Sequence, residues 1–314
     1  MDLVTRSQAS GPPAQAPPPP GEQTLRWVEQ CLGPGAEVKM VRPLGGAQHV
    51  NHALLVASRF GSVHRLVLRR WTGRDRAAWD AEFSPEREIA ALALLAGCEL
   101  PTPELVAADP AGAHCDAPAL LITRLIGHPA RPGPDDLPEY LIQLAAALLS
   151  VHPLHGAATM PPYVPANRLE VRLPPKHAAR PELWERAFDL AAAPAPEAAP
   201  CFIHRDYRPD NTLWSYGRLT GVVDWSTASY GPAAVDIAQM RWSLAVQYGR
   251  TAAEEFLSAF DRVSGGYVHD PYWDLRTLLD VLPEAPDRVL PEPWVLALED
   301  HLASVLSHLG ASTR

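Results

Sequence analysis

The hydrophobic pattern of this chain changes along its length, from short strand-like runs to longer repeats with helical spacing. Strand-like runs flank Val41–Asn51, and further apolar runs occupy Leu66–Trp71 and Ala119–Ile122. One helix is predicted among them, over 85–96, because a Ser-Pro start is followed by apolar residues at helical spacing. The first part of the chain is therefore predicted to be rich in strands.

Beyond Gly127 the pattern predicts helices. Their signals are an aspartate at 135 or 136 before an apolar face of Leu141, Leu144, Ala145, Leu148 and Leu149, a capping box of Thr251 and Glu254, a start at Asp270-Pro271, and a last helix over Pro293–Leu309 with Gly310 as its stop. Strands followed by helices are typical of the α+β class. We expect a two-lobed α+β protein with a cleft between a small strand-rich lobe and a larger helical one.

The predicted divisions are a tail over 1–21, a strand-rich lobe over 22–125 and a helical lobe over 126–314. The tail is expected to be disordered because it is rich in proline and poor in large apolar residues. A hydrophobic content of 47% is enough for the cores of two lobes.

Charge and cysteine usage narrow the class of protein. A net charge of −9 argues against a nucleic-acid partner, which would require a basic face. The chain shows neither a secretory signal nor an apolar run long enough to cross a bilayer, so we expect a soluble cytoplasmic protein with no membrane partner. The cysteines lack C-x-x-C spacing and are expected to be reduced, mostly buried thiols: Cys31, Cys98, Cys115 and Cys201.

The most informative segment is His204–Asn211, which is followed by Asp224 in an apolar context. Its spacing is that of a phosphoryl-transfer site, with Asp206 as the base that takes a hydroxyl proton. Asn211 would add a neutral oxygen and Asp224 an anionic one, both of which suit magnesium. These residues predict an ATP-dependent kinase that uses ATP and Mg²⁺.

Short strand-like runs border this segment, namely Cys201–Ile203 before it and Leu219–Val223 after it. They place the polar groups of the motif at strand ends. The alternative is that Asp206 and Asn211 only close a hairpin turn.

Together with Gly221–Trp225 and Gly231–Asp236, the segment His204–Trp214 resembles the aminoglycoside phosphotransferase family. That family is the small-molecule branch of the protein-kinase-like fold. The resemblance extends from about Val41 to Trp242 and more loosely beyond. It implies MgATP bound between two lobes and a hydroxyl of a small molecule as the acceptor.

The resemblance also implies roles for individual residues. Asp206 matches the catalytic base, and Asn211 and Asp224 match the magnesium ligands. Asp236 matches the buried aspartate that braces the catalytic loop, and His204 matches a structural histidine. Two departures stand out in this chain: Arg205 replaces the usual glycine, and Arg208-Pro209-Asp210 replaces His-Pro-Gly. Asp210 either tunes magnesium affinity or faces solvent.

The nucleotide side is predicted upstream. Gly45 and Gly46 allow a backbone to approach phosphate oxygens, although paired glycines also suit an ordinary hairpin turn. Arg69 matches the lysine that grips phosphates in kinases, and neither lysine of the chain lies at that position. It could instead be a surface arginine on an edge strand.

Glu88 matches the glutamate that pairs with the phosphate-gripping residue, or it only complements a helix dipole, and its contact with Arg69 would decide between the two. The resemblance places the hinge between the lobes at Thr123 and Leu125, whose backbone groups would bind adenine.

The acceptor is not defined by these motifs. The net acidity suits a cationic, aminoglycoside-like molecule, with candidate carboxylates that could also be solvated helix faces: Glu254, Glu255, Asp261, Asp270 and Asp274. The alternatives are a metabolite kinase of the choline or homoserine type and a nucleotide-binding pseudokinase without turnover. A protein kinase is disfavoured because Asp-Phe-Gly and Ala-Pro-Glu signatures are missing after Asp224.

Overall fold

The computed structural model describes residues 18–44, 49–72, 84–156, 158–282 and 289–312, so Gly45 and Gly46 lie outside the described residues. Its strands are Glu37–Leu44 (β1), Val50–Ala57 (β2), Val63–Arg70 (β3), Leu105–Asp109 (β4), Ala119–Thr123 (β5), Pro200–Ile203 (β6), Thr212–Ser215 (β7), Arg218–Val222 (β8) and Ser229–Pro232 (β9). Its helices are Glu22–Leu32 (α1), Pro85–Leu95 (α2), Leu137–Val151 (α3), Pro181–Ala191 (α4), Ala234–Tyr248 (α5), Arg250–Ser264 (α6), Pro271–Asp280 (α7) and Glu292–Ser312 (α8).

The first lobe is built on a five-stranded antiparallel sheet with the order β1-β2-β3-β5-β4. Both faces of its central strands are covered. Ala119 and Leu121 of β5 pack in the cluster that contains α1, whereas Leu120 and Ile122 pack in the cluster that contains α2. Because side chains alternate along a strand, this double burial explains why the run is apolar at every position.

The same alternation separates two neighbouring arginines on β3. Leu66 and Leu68 lie on the α1 face, so Arg70 lies there too and pairs with Asp116 at 2.6 Å. Arg69 lies on the opposite face, towards α2. The register of β3 therefore determines which arginine enters the cleft.

The second lobe is helical. One core joins α3, α5 and α6 to α2 of the first lobe, and a second core joins α4, α7 and α8 through Trp242. Two antiparallel strand pairs, β7-β8 and β6-β9, carry the loops between α4 and α5. This arrangement confirms the α+β class and the predicted order, in which a strand-rich part precedes a helical part.

Several predicted elements need correction. The helix α6 begins at Arg250 with Gly249 as its N-cap, so Thr251 and Glu254 do not form the predicted capping box. Gly249 ends α5 with a positive φ of 88° and starts α6 directly, which leaves no separate capping position. The last helix continues through Gly310 to Ser312, since one glycine weakens a packed helix by only about 1 kcal/mol.

The predictions about helix starts and cysteines have mixed outcomes. Asp270 caps α7, where its side chain accepts a hydrogen bond from the amide of Tyr272 at 2.9 Å. Asp136 precedes α3 without a side-chain capping bond.

All four cysteines are free, but only Cys115 is buried and Cys31 is exposed, so the expectation of mostly buried thiols was wrong. In the described ranges, the helices are too short or too polar to cross a membrane.

The connection between the lobes passes through Gly127. This residue has a φ of +119°, and a Cβ atom there would lie 2.5 Å from Thr220 Oγ1 and 2.8 Å from the carbonyl oxygen of Trp214. The next residue, His128, exchanges two backbone hydrogen bonds with Trp214, at 3.2 and 2.9 Å. Only glycine fits where the chain crosses from the sheet to the β7-β8 pair.

We predict that Gly127→Ala destabilises the protein by about 2 kcal/mol or more, because it adds both backbone strain and a clash with backbone atoms. The midpoint of chemical denaturation measures this loss. Gly133→Ala is the control, since a Cβ at Gly133 meets nothing within 4 Å and its φ is not positive. It should be neutral or stabilise by up to about 1 kcal/mol. Equal midpoints for the two variants would contradict the assignment.

Candidate active site

A buried aspartate holds the loop that follows β6. The carboxylate of Asp236, on the first turn of α5, accepts hydrogen bonds from the amides of His204 at 2.9 Å and Arg205 at 2.7 Å. It also contacts His152 Nε2 at 3.1 Å, and its side chain is fully buried. Arg205 has a φ of 70°, a left-handed conformation that is costly for a side chain larger than glycine. These bonds from Asp236 hold the backbone in that conformation.

His204 joins this loop to the segment that carries Asp224. Its Nδ1 accepts a hydrogen bond from the amide of Asp206 at 3.2 Å, so the proton lies on Nε2, which donates to Val223 O at 3.0 Å. The ring is fully buried. Both nitrogens are used in structural bonds, which leaves the imidazole no part in proton transfer.

Asp206 lies at the centre of the loop. Its Oδ2 accepts a hydrogen bond from Asn211 Nδ2 at 2.9 Å, and its Oδ1 accepts one from Gln239 Nε2 at 3.1 Å. Arg208 Nε lies 3.2 Å from the same Oδ1. Burial raises the pKa of Asp206, and the nearby charge of Arg208 opposes that rise.

Asn211 and Asp224 come from two segments joined by a backbone bond, in which the amide of Val223 donates to Asn211 O at 2.9 Å. The side-chain nitrogen of Asn211 is used on Asp206, so its amide oxygen is the atom that remains for a cation. Burial pushes the pKa of Asp224 upward, but the charge of Arg69 acts together with smaller contributions, including the hydrogen bond from Ser226, and lowers the pKa to about 2.

An ionised carboxylate and a neutral amide oxygen are hard donors that fit Mg²⁺, which keeps further positions for water and phosphate oxygens. Across the described ranges, no group of three or more His, Cys, Asp or Glu side chains is arranged to hold a metal ion.

Arg69 links the sheet, α2 and the segment that carries Asp224. Its Nη1 lies 2.7 and 2.8 Å from the two carboxylate oxygens of Glu88 and 2.8 Å from Asp224 Oδ1. Its Nε donates to Asn51 Oδ1 at 3.0 Å. The Arg69 and Glu88 side chains are only 7% and 1% exposed, and β3 is central in the sheet, which overturns the surface-arginine alternative.

The predicted hinge residues, Thr123 and Leu125, lie at and just after the end of β5. The amide of Thr123 donates to Glu104 O at 2.9 Å, and its hydroxyl accepts from the amide of Glu104 at 2.9 Å. Leu125 packs against Gly221, where a Cβ atom would lie 2.3 Å from Leu125 Cδ1. Leu125 thus contacts the strand that leads to Asp224, and the binding of adenine to this backbone stays a prediction.

Two charged positions for which the sequence left alternatives open have different outcomes. Asp210 faces solvent in an exposed pair with Arg131 at 2.7 Å. Asp274, proposed as a cleft carboxylate or a solvated helix residue, is neither: it is buried against Arg241 and bonded to His269 Nε2 at 2.9 Å. Burial of this polar group is tolerated because both partners are cationic or can be protonated. The other four candidate carboxylates are exposed.

The sequence pattern did not single out two polar residues of this site. Asn51 orients the guanidinium of Arg69, and Gln239 bonds to the carboxylate of Asp206. The signal for Gln239 was its place three residues after Asp236, which puts both on one helix face. Asn51 faces Arg69 across the β2-β3 register, which the sequence alone did not specify.

We predict that Arg69→Met destabilises the fold by about 3–5 kcal/mol, because it leaves Glu88 buried without its partner. Burial raises the pKa of Glu88, so folding of the variant takes up a proton and its stability should fall as pH rises. Adding Glu88→Gln should restore part of the loss and remove that pH dependence. Urea denaturation at acidic and alkaline pH measures both effects. Equal stability of Arg69→Met and the parent protein would contradict the buried pair.

Comparisons with known proteins extend these observations. A family model described as "Phosphotransferase enzyme family" matches residues 41–276. A curated relative, the N-acetylmuramate/N-acetylglucosamine kinase of Pseudomonas aeruginosa, is 28% identical over 240 residues. That match covers 69% of this chain and 66% of the relative, so the chain spans just under two thirds of that kinase.

Solved structures share the fold. An amicoumacin kinase in complex with AMP-PNP, Ca²⁺ and Ami has a TM-score of 0.57 at 12% identity, and the match covers 92% of this chain and 94% of the other. The GDP complex of a mutant aminoglycoside 2'-phosphotransferase of type IIIa has a TM-score of 0.56 at 19% identity, with coverages of 88% and 95%. These likenesses establish the two-lobed kinase-like fold that the sequence predicted. Because the family model matches well over half of its residues, the chain belongs to the phosphotransferase enzyme family.

Proposed function

We propose that this protein transfers the γ-phosphoryl group of MgATP to a hydroxyl group of a small molecule. The observation that carries the proposal is the convergence of Asp206, Asn211 and Asp224 opposite Arg69. Arg69 and Asp224 are 155 residues apart in sequence, yet they meet at 2.8 Å. Such an arrangement supplies a base, two oxygen ligands and a fixed cation within one cleft.

In this mechanism the acceptor hydroxyl hydrogen-bonds to the carboxylate of Asp206, which orients the oxygen for in-line attack. The oxygen forms a bond to the γ-phosphorus as the bond to the bridging oxygen of ADP breaks. The hydroxyl proton passes to Asp206, and ADP leaves with the electrons of the broken bond. Because most of the charge lies on phosphoryl oxygens, catalysis depends more on position and electrostatics than on a strong base.

Asn211 Oδ1 and the carboxylate of Asp224 would hold magnesium, which supplies charge neutralisation at the phosphates. Arg69 would bind the α- and β-phosphates through Nη2, since Nε and Nη1 are engaged by Asn51, Glu88 and Asp224 and the described residues give Nη2 no partner. Glu88 would keep the guanidinium in place. This division of the donors lets arginine serve where kinases use lysine.

An amino sugar is the acceptor class that the comparisons support best. The curated relative, 28% identical over 240 residues, is named for N-acetylmuramate and N-acetylglucosamine, which are both amino sugars. Incubation with labelled ATP and a panel of these sugars, aminoglycosides, choline and homoserine tests the class. We expect transfer to an amino-sugar hydroxyl. Labelling of an amino alcohol alone would favour the metabolite-kinase alternative, and ATP binding without any labelled product would favour a pseudokinase.

We predict that Asp206→Asn lowers kcat by about 10²–10⁴-fold while MgATP affinity changes little, because the amide keeps the shape but cannot take the proton. Turnover and equilibrium nucleotide binding are measured on the same preparation. Asp210→Asn is the matched control, since Asp210 forms only an exposed pair with Arg131. Its kcat should stay near that of the parent protein. Full turnover in Asp206→Asn would remove the base assignment.

A further inference from the structure

The carboxylate of Asp206 is held from two sides by amide groups that come from different elements. Asn211 Nδ2 donates to Oδ2 from the loop, at 2.9 Å, and Gln239 Nε2 donates to Oδ1 from α5, at 3.1 Å. One donor would let the carboxylate rotate about its Cβ–Cγ bond, whereas two donors on opposite oxygens fix its plane. Gln239 therefore supplies a hydrogen bond to Asp206 that the segment His204–Asn211 does not provide.

The orientation of the Gln239 amide follows from the chemistry of its neighbour. Trp242 Nε1 lies 2.9 Å from Gln239 Oε1, and an indole N–H can only donate a hydrogen bond. The oxygen of the amide must face Trp242, so the NH₂ group faces Asp206. Trp242 itself is 7% exposed and anchored in the core that contains α4, α7 and α8. Two hydrogen bonds therefore connect Trp242 to Gln239 and Gln239 to Asp206, so the packed tryptophan fixes the orientation of the amide.

Each oxygen of the carboxylate accepts one of these amide hydrogen bonds, Oδ1 from Gln239 and Oδ2 from Asn211. Arg208 Nε lies 3.2 Å from Oδ1, but within the described residues it makes no hydrogen bond. Since each carboxylate oxygen can accept about two hydrogen bonds, the carboxylate keeps capacity for a substrate hydroxyl while its plane is fixed.

We propose that Gln239, oriented by Trp242, is a positioning residue that holds the plane of the Asp206 carboxylate in the orientation that receives the acceptor hydroxyl. This inference rests on the proposed function and adds a specific residue to it. Gln239 acts through Asp206 and not on the nucleotide. Its loss should therefore reduce the rate of phosphoryl transfer and leave ground-state binding intact.

The test compares Gln239→Met with Gln247→Met. Methionine keeps the length and bulk of glutamine and removes its amide. Gln247 lies two turns further along α5, and among the residues that the structure describes its side-chain Oε1 has no hydrogen-bond partner. We expect kcat of Gln239→Met to fall by about 10- to 100-fold, with KM for ATP and acceptor changed less than about twofold. Gln247→Met should match the parent protein in both constants.

A double-mutant cycle tests whether Trp242 acts on Asp206 through Gln239. Trp242→Phe removes the indole N–H, lets the Gln239 amide rotate and should lower kcat by up to about 10-fold. In the Gln239→Met background the same change should lower kcat no further, because the group that it orients is gone. Independent structural damage would instead multiply the two losses. If Gln239→Met does not fold, Gln239→Asn carries the test, since it keeps a neutral amide and shortens its reach to Asp206 by one methylene group.

The outcomes separate this inference from the proposed function. A Gln239→Met enzyme with kcat near that of the parent, or losses that multiply with Trp242→Phe, would overturn the positioning role. The proposed function would survive either result as long as Asp206→Asn lowers kcat as predicted above. Absence of phosphoryl transfer by the parent protein to every acceptor in the panel would defeat both.

Discussion

The cleft depends on one buried guanidinium. Arg69 cannot be removed from water without anionic and polar partners, and it finds them on three separate elements: Asn51 on β2, Glu88 on α2 and Asp224 after β8. Satisfying this single charge therefore fixes the distance between the sheet and the catalytic segment. The two lobes are joined here by electrostatics as well as by the chain at Gly127.

A second buried charge organises the other wall. Asp236 lies fully buried at the start of α5 and uses its carboxylate to hold the amides of His204 and Arg205. It keeps the strained loop conformation that presents Asp206. Because Gln239 is one turn along the same helix, α5 sets both the backbone of the loop and the orientation of its central side chain. One helix thus fixes both the loop backbone and the Asp206 carboxylate.

Much of this was readable from residue types and spacing. The H-x-D-x4-N segment and Asp224 identified the loops, and the apolar run of β5 identified a strand. The start of α2 followed from its Ser-Pro signal, and that of α7 from the Asp270 cap. These features are local, so a few neighbouring residues determine them.

The remaining features depend on tertiary contacts. The direct junction of α5 and α6 at Gly249, the continuation of α8 through Gly310 and the burial of Asp274 beside Arg241 are decided by packing between distant segments. The same holds for Gln239, whose role requires the position of Trp242. Local propensity is overridden in each case by burial or by a partner far away in sequence.

The separation of Arg69 and Arg70 onto opposite faces of β3 has a consequence for how this lobe can evolve. A slip of the strand by one position would exchange the two guanidiniums, sending the one paired with Asp116 into the cleft and the other beneath α1. Insertions or deletions in the tight turn at 58–62 are therefore tolerated only if they preserve pairing parity. Length variation in a surface turn far from any reacting atom is constrained by the chemistry at the far end of the strand.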